Sequence, residues 1–152
     1  MVDPIGAKAI ATNPALKPLK FLIGEWRTTG SHPAFPGEEL KGRTSFDWHE
    51  GGAFLIIRNE VDHPKFPDGV AIVGSSDSAG TFAMIYFDER GTSRIMDVMV
   101  GDGSFGWSRD DPDFSQRLTI SADGPDRLVS KGEIAKPGED WEDDLSQAFE
   151  RI

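Results

Sequence analysis

At 152 residues the chain has the length of one domain, enough to bury roughly two thirds of the surface its unfolded form exposes. It carries 16 Lys and Arg against 26 Asp and Glu, a net charge of −10, with no basic cluster, which argues against nucleic acid and anionic membranes as partners. It has no cysteine, so disulfides, thiolate metal sites and thiol catalysis are excluded.

Residues 1–13 read as a loose arm, with neither the basic start nor the apolar stretch of a signal peptide. No apolar run approaches the roughly 20 residues that span a bilayer as a helix, so the expected location is cytoplasmic. Residues 14–22 predict a short helix, with Asn13 as its cap and Pro14 at its first position. Pro18 keeps it short. Its Leu16, Leu19, Phe21 and Leu22 either plug an open end of the strand-rich remainder of the chain or cover a surface.

Ten short strands then succeed one another in close order, making residues 1–152 a single all-β domain. The first begins at Gly24-Glu25-Trp26. The second, residues 40–49, alternates Leu40, Gly42, Thr44, Phe46 and Trp48 against Lys41, Arg43, Ser45, Asp47 and His49. Residues 53–62 open as a continuous apolar run and turn polar. Residues 70–76, 81–88 and 92–100 are joined by Ser78-Ala79-Gly80 and Asp88-Glu89-Arg90-Gly91, both with the glycine that tight hairpins use. Phe105, Trp107 and Arg109 share a phase in the seventh strand, and Phe114, Gln116, Leu118 and Ile120 in the eighth. Residues 127–135 and 141–151 complete the series. Such spacing, with no helical period between strands, predicts a mostly antiparallel up-and-down barrel of about ten strands. A two-sheet sandwich is the rival, disfavoured by the lack of long crossover loops.

A barrel of this size can enclose a small ligand. The expected inner face is mixed: Trp48, Phe54, Arg58, Tyr86, Arg94, Met96, Trp107 and Gln116 are the candidate ligand-binding residues. Polar groups in phase with aromatics suggest a cavity, because each buried one needs a partner. A one-residue slip in the third or sixth strand would turn Arg58 or Arg94 outward. Trp26 and Trp141 are expected to close the barrel seam against the plug. If Tyr86 points inward with Arg94, the pair could bind a carboxylate or phenolate, and the guanidinium would lower the phenol pKa.

Other motifs carry less. Gly101-Asp102-Gly103-Ser104-Phe105-Gly106 matches a dinucleotide-binding pattern, yet a strand comes after it where a helix N-terminus is required, so it reads as a hairpin turn. His32, His49 and His63 lack the spacing of a metal motif, and no metal site is expected. Asp110, Asp111 and Asp113 form an acidic turn without the glycine of a calcium loop.

Leu19-x-Phe21-Leu22-x-Gly24-x-Trp26, Met84-x-Tyr86-Phe87-Asp88-x-x-Gly91-x-x-Arg94, Phe114-Ser115-Gln116-Arg117 and Trp141-Glu142-x-Asp144 together resemble the calycin superfamily. By these motifs the chain resembles the nitrobindin-like barrels and an uncharacterised bacterial lipocalin-like family. The resemblance implies a barrel and no particular activity. Nitrobindins bind haem through a histidine near the start of the last strand. Here the corresponding position is Asp144, and no histidine occurs after His63, so no haem and no other cofactor is expected.

The leading functional expectation is binding of a small, partly apolar, anionic molecule in the barrel cavity. Trp48, Phe54, Tyr86, Met96 and Trp107 would supply contact area, and Arg58, Arg94 and Gln116 orientation. The alternative is an isomerase, cyclase or hydrolase using Tyr86, Arg94 and Asp97 for acid–base chemistry. A third reading is an interaction module or homodimer built on a packed barrel, with an exterior apolar patch drawn from Leu55, Ile57, Val129 and Ala148.

Overall fold

A computed structural model describes residues 13–49, 51–75 and 81–152. The arm before Asn13, Glu50 and the predicted turn at residues 78–80 lie outside the described residues. A 3-10 helix, Pro14–Leu22, opens the chain, and its first turn is capped by the Asn13 side chain accepting from the Ala15 N–H at 3.0 Å.

Ten strands come after it: β1 (Gly24–Ser31), β2 (Leu40–His49), β3 (Phe54–Val61), β4 (Gly69–Ser75), β5 (Phe82–Asp88), β6 (Ser93–Gly101), β7 (Ser104–Arg109), β8 (Ser115–Ala122), β9 (Arg127–Ala135) and β10 (Glu142–Arg151). Each pairs antiparallel with the next, and β1 also pairs with β10, so the sheet closes on itself with no free edge. The sandwich rival is therefore excluded. Gly101 to Ser104 forms the β6–β7 hairpin, as the strand after the glycine motif requires.

The helix seals one end. Leu16, Leu19 and Leu22 are fully buried, each such side chain contributing about 1.5–3 kcal/mol. The Asn13 N–H donates to the Gly52 carbonyl at 2.8 Å and its side chain to Ser75 Oγ at 2.6 Å, which ties the plug to the β2–β3 turn and the end of β4. Trp26 Nε1 donates to the Leu22 carbonyl at 2.8 Å, and the Arg151 guanidinium lies 4.1 Å over the Trp26 ring. Trp26 thus closes the seam as expected. Trp141 does not: it precedes β10, is partly exposed, and stacks under Arg117 at 3.9 Å on the outside.

The core continues along the barrel axis from this plug through Phe46, Leu55, Val73 and Met84 to Met96 and Phe105. One phase differs from expectation. In β3 the inner residues are Leu55, Ile57, Asn59 and Val61, because Phe46 pairs with Ile57 and Thr44 with Asn59. Phe54, Ile56 and Arg58 accordingly take the outer phase. The apolar run Phe54 to Ile57 offers no alternation, and a one-residue shift exchanges the faces.

Candidate functional site

Beyond the core, toward the end opposite the plug, the barrel holds a cavity of about 360 Å³. That lies at the lower end of the range for small-molecule sites. Its floor and walls are apolar, with Phe46, Met84, Met96, Phe105, Trp107 and Phe149. Its upper wall is polar, and strand geometry explains how each group arrives there. Arg94 shares the inner phase of β6 with buried Met96. Gln116 heads the inner row of β8 with Leu118 and Ile120.

Asp144 comes from an irregularity. Asp143 pairs with Glu133 but Ser146 pairs with Lys131, so Asp144 and Leu145 together oppose the single residue Gly132. A Cβ at Gly132 would lie 2.5 Å from the Leu145 carbonyl oxygen, so only glycine allows this bulge to sit so close. The bulge re-aims the strand, and both Asp144 and Leu145 line the cavity.

These three groups form a chain. Arg94 Nη1 donates to Gln116 Oε1 at 3.0 Å, and Gln116 Nε2 reaches Asp144 Oδ2 at 3.5 Å. His32 Nε2 lies 2.8 Å from the other carboxylate oxygen of Asp144. The Ala34 N–H donates to His32 Nδ1, so Nδ1 is the acceptor and Nε2 carries the proton given to Asp144. His32 also belongs to an aromatic group with Phe35, His63 and Phe66, drawn from the β1–β2 and β3–β4 loops. Lys65, Phe66 and Pro67 of the second loop line the cavity mouth.

Charge on this wall departs from the chain's acidic average. Lys65, Arg90 and Arg94 line it against one carboxylate, Asp144. Arg117 also contributes to the lining, but its guanidinium bonds Glu133 at 3.0 Å and covers Trp141. Arg90 is engaged by Asp88. Among the described residues Lys65 and Arg94 have no ion-pair partner. Beside Gln116 in the β7–β8 register stands Arg109, which bonds Asp111 through Nη2 while its buried Nη1 has no acceptor. Arg94 and Arg109 each lie 5.4 Å from the Phe114 ring centroid.

Tyr86 borders the same space. Gly69 makes room for its ring, since a Cβ there would meet the ring at 2.9 Å. Its hydroxyl donates to Asp88 Oδ2 at 2.8 Å, and Arg90 grips the same carboxylate through Nε and Nη2. The Arg90 bonds hold the Asp88 pKa down at about 2. Burial, then the bond to Asp88, pushes the Tyr86 phenol up to about 12, outweighing the opposite pull of Arg90 and Arg94. The expected guanidinium-lowered phenol is thus reversed. The anion next to the hydroxyl favours its protonated form.

Of the eight residues proposed from sequence, Tyr86, Arg94, Met96, Trp107 and Gln116 come together around the cavity. Trp48 keeps the inner phase but pairs with Leu55 and packs in the core. Phe54 stacks on His49 with centroids 4.3 Å apart. Arg58 is about half-exposed on the exterior, 3.8 Å from Asp47. Asp97 pairs with Ser108 on the exposed phase of β6, so Tyr86, Arg94 and Asp97 do not converge. Leu55 and Ile57, expected in an exterior patch, are buried. Lys65 and Phe66 enter the site without having been marked for it, and Asp144, noted in the sequence only as the residue standing where nitrobindins have their haem ligand, enters it as well.

Among the described residues no group of three or more His, Asp or Glu is arranged to hold a metal. Nor do the residues fit haem ligation of the nitrobindin kind. At the position in question, Asp144 offers a carboxylate already bonded to His32 and Gln116.

No protein-family model matches the chain, and no curated protein matches it either. Among solved structures it is similar to the crystal structure of Rv2717c from M. tuberculosis. The TM-score is 0.65 at 16% identity, over 93% of this chain and 99% of that one, a likeness of fold.

Proposed function

We propose that the barrel binds a small, partly apolar organic anion, with its apolar body on Met84, Met96, Trp107 and Phe149 and its anionic group at Arg94. The observation that carries this reading is Arg94 itself. It is a guanidinium on a cavity wall, oriented by Gln116 and without a carboxylate partner among the described residues, in a chain of net charge −10. A half-buried guanidinium that shares its wall with Lys65 and Arg90 has no counter-ion of its own, and an anionic ligand supplies one. A calycin-type assignment belongs to the same proposal, supported by the closed meander and the motifs at both chain ends.

The test compares anilinonaphthalene sulfonate with its uncharged analogue, phenylnaphthylamine, by fluorescence titration. Native mass spectrometry of freshly purified protein runs in parallel to catch a retained ligand. The sulfonate should bind about tenfold or more tightly than the neutral probe, and Arg94→Gln should remove that preference. Equal binding of the two probes, or a preference untouched by Arg94→Gln, would overturn the proposal.

A further inference from the structure

Gln116 stands between a cation and an anion. Its carbonyl accepts from Arg94 Nη1 at 3.0 Å, and its amide nitrogen faces Asp144 Oδ2 at 3.5 Å. Both charged residues line the cavity, yet they are not ion-paired with each other. A direct pair would satisfy both charges, whereas the inserted amide leaves each with bonding capacity to spare. Arg94 gives Gln116 one of its five N–H donors. Asp144 accepts from His32 Nε2 on Oδ1 at 2.8 Å, but the contact on Oδ2 is at the outer limit of a hydrogen bond. A carboxylate has about four lone-pair sites, so this one is under-satisfied.

The inward position of Asp144 is itself a product of the bulge. Phe149, Gln147 and Leu145 line the cavity at alternate positions of β10, and strict alternation would turn Asp144 to solvent. Instead Asp144 and Leu145 both oppose Gly132, and regular pairing is given up there. An outward carboxylate would keep its full hydration. The inward one surrenders part of it and gains only a neutral imidazole and a distant amide in return.

We infer, building on the anion reading above, that Asp144 accepts a hydrogen bond from a hydroxyl on the bound anion, so that the ligand is a hydroxylated organic acid. Arg94 takes the anionic group, Asp144 takes the hydroxyl proton, and the Gln116 amide sets the spacing between them. Charge selects a hydroxyl over an ammonium as the donor. Lys65, Arg90 and Arg94 line the same wall and would repel a cation, but not a neutral O–H. A hydrogen bond to an ionised acceptor is also one of the strong ones. His32 keeps that acceptor in place, because its ring is held in turn by the Ala34 N–H.

Isothermal titration calorimetry tests this with octanol, octanoate, octanoate hydroxylated on its third or its fifth carbon, and the methyl ethers of those two hydroxy acids. Thermal melts show that each variant folds. One of the hydroxy acids should bind about tenfold more tightly than octanoate and than its own methyl ether. Asp144→Ala removes the acceptor, and Asp144→Asn turns its oxygen to His32 and a donor to the cavity. Both should bring the ratio of hydroxy acid to methyl ether affinity close to one. Hydroxy acids no tighter than octanoate, where octanoate still outbinds octanol, would overturn this inference and leave the anion reading standing. Octanoate no tighter than octanol would remove both. A ratio that survives both variants while all the acids bind more weakly would make Asp144 a positioning residue for Gln116 and overturn its role as acceptor.

Discussion

The two ends of this barrel are closed by opposite chemistry. At the plugged end three leucines are fully buried, Trp26 bonds the plug backbone, and Arg151 lies over the indole with Nη1 bonded to the Ile23 carbonyl at 2.7 Å. At the other end Arg94, Gln116, Asp144 and His32 form a polar chain beneath loops rich in aromatic rings. Apolar burial is non-directional and adds stability wherever volume is filled. Polar chains add little net stability but fix orientation. One end thus holds the barrel shut, and the other is built for selection.

If that division holds, the largest effect belongs to the plug. Leu19→Ala removes fully buried apolar volume and should destabilise the protein by about 2–5 kcal/mol in denaturant unfolding, while the folded variant keeps its affinity for the anionic probe. A parallel fall in affinity would show that the two ends act as one unit.

Arg94→Gln probes the other side of the comparison. The amide can still meet Gln116, so stability should change by less than about 0.5 kcal/mol. Anion affinity should fall about tenfold or more, as loss of a charge-assisted hydrogen bond implies. A variant that unfolds readily while binding normally would make Arg94 a structural residue.

How legible each end was depends on the strands themselves. In β6 the rows Arg94, Met96, Val98 and Ser93, Ile95, Asp97 each mix apolar and charged residues, so alternation alone leaves the phase of Arg94 open, and only strand pairing turns Arg94 inward beside Met96. In β3, Phe54 to Ile57 is apolar on both faces, and only the tail carried the answer. Arg58 and Glu60 share a phase, and two charges are far more costly to bury than the single amide of Asn59. Asp144 was hidden for another reason. A bulge places two successive residues inward, so alternation fails there, and its signal lies across the sheet at Gly132, invisible until strands are paired. Lys65 and Phe66 sit in a loop, where no period exists to read.

Acid should bring out the contrast next, because the open end carries the buried carboxylate. Asp88 has its pKa lowered from 3.8 to about 2, so its share of stability is present above pH 4 and is lost as pH falls toward 2. With Arg90 half-exposed, that share is about 1–2 kcal/mol. Unfolding free energies at pH 5 and pH 2 should differ by that much less in Asp88→Asn than in the wild type. An equal difference in both proteins would mean that the carboxylate is not held as the structure has it.

The smallest effect is also the cleanest to measure. Tyr86→Phe deletes one hydrogen bond to a carboxylate that Arg90 still satisfies, so the cost should be about 0.5–1.5 kcal/mol. Because Tyr86 is the only tyrosine in the chain, phenolate absorbance reports on this site alone. In the folded protein it should appear near pH 12 rather than 10. The raised value means that the neutral phenol stabilises the fold fully below pH 10 and progressively less as pH climbs toward 12. Titration near 10 in protein shown by circular dichroism to be folded would rule out the Tyr86–Asp88–Arg90 arrangement. It would also return Tyr86 to the set of groups able to ionise beside Arg94, and with it the acid–base reading of the cavity.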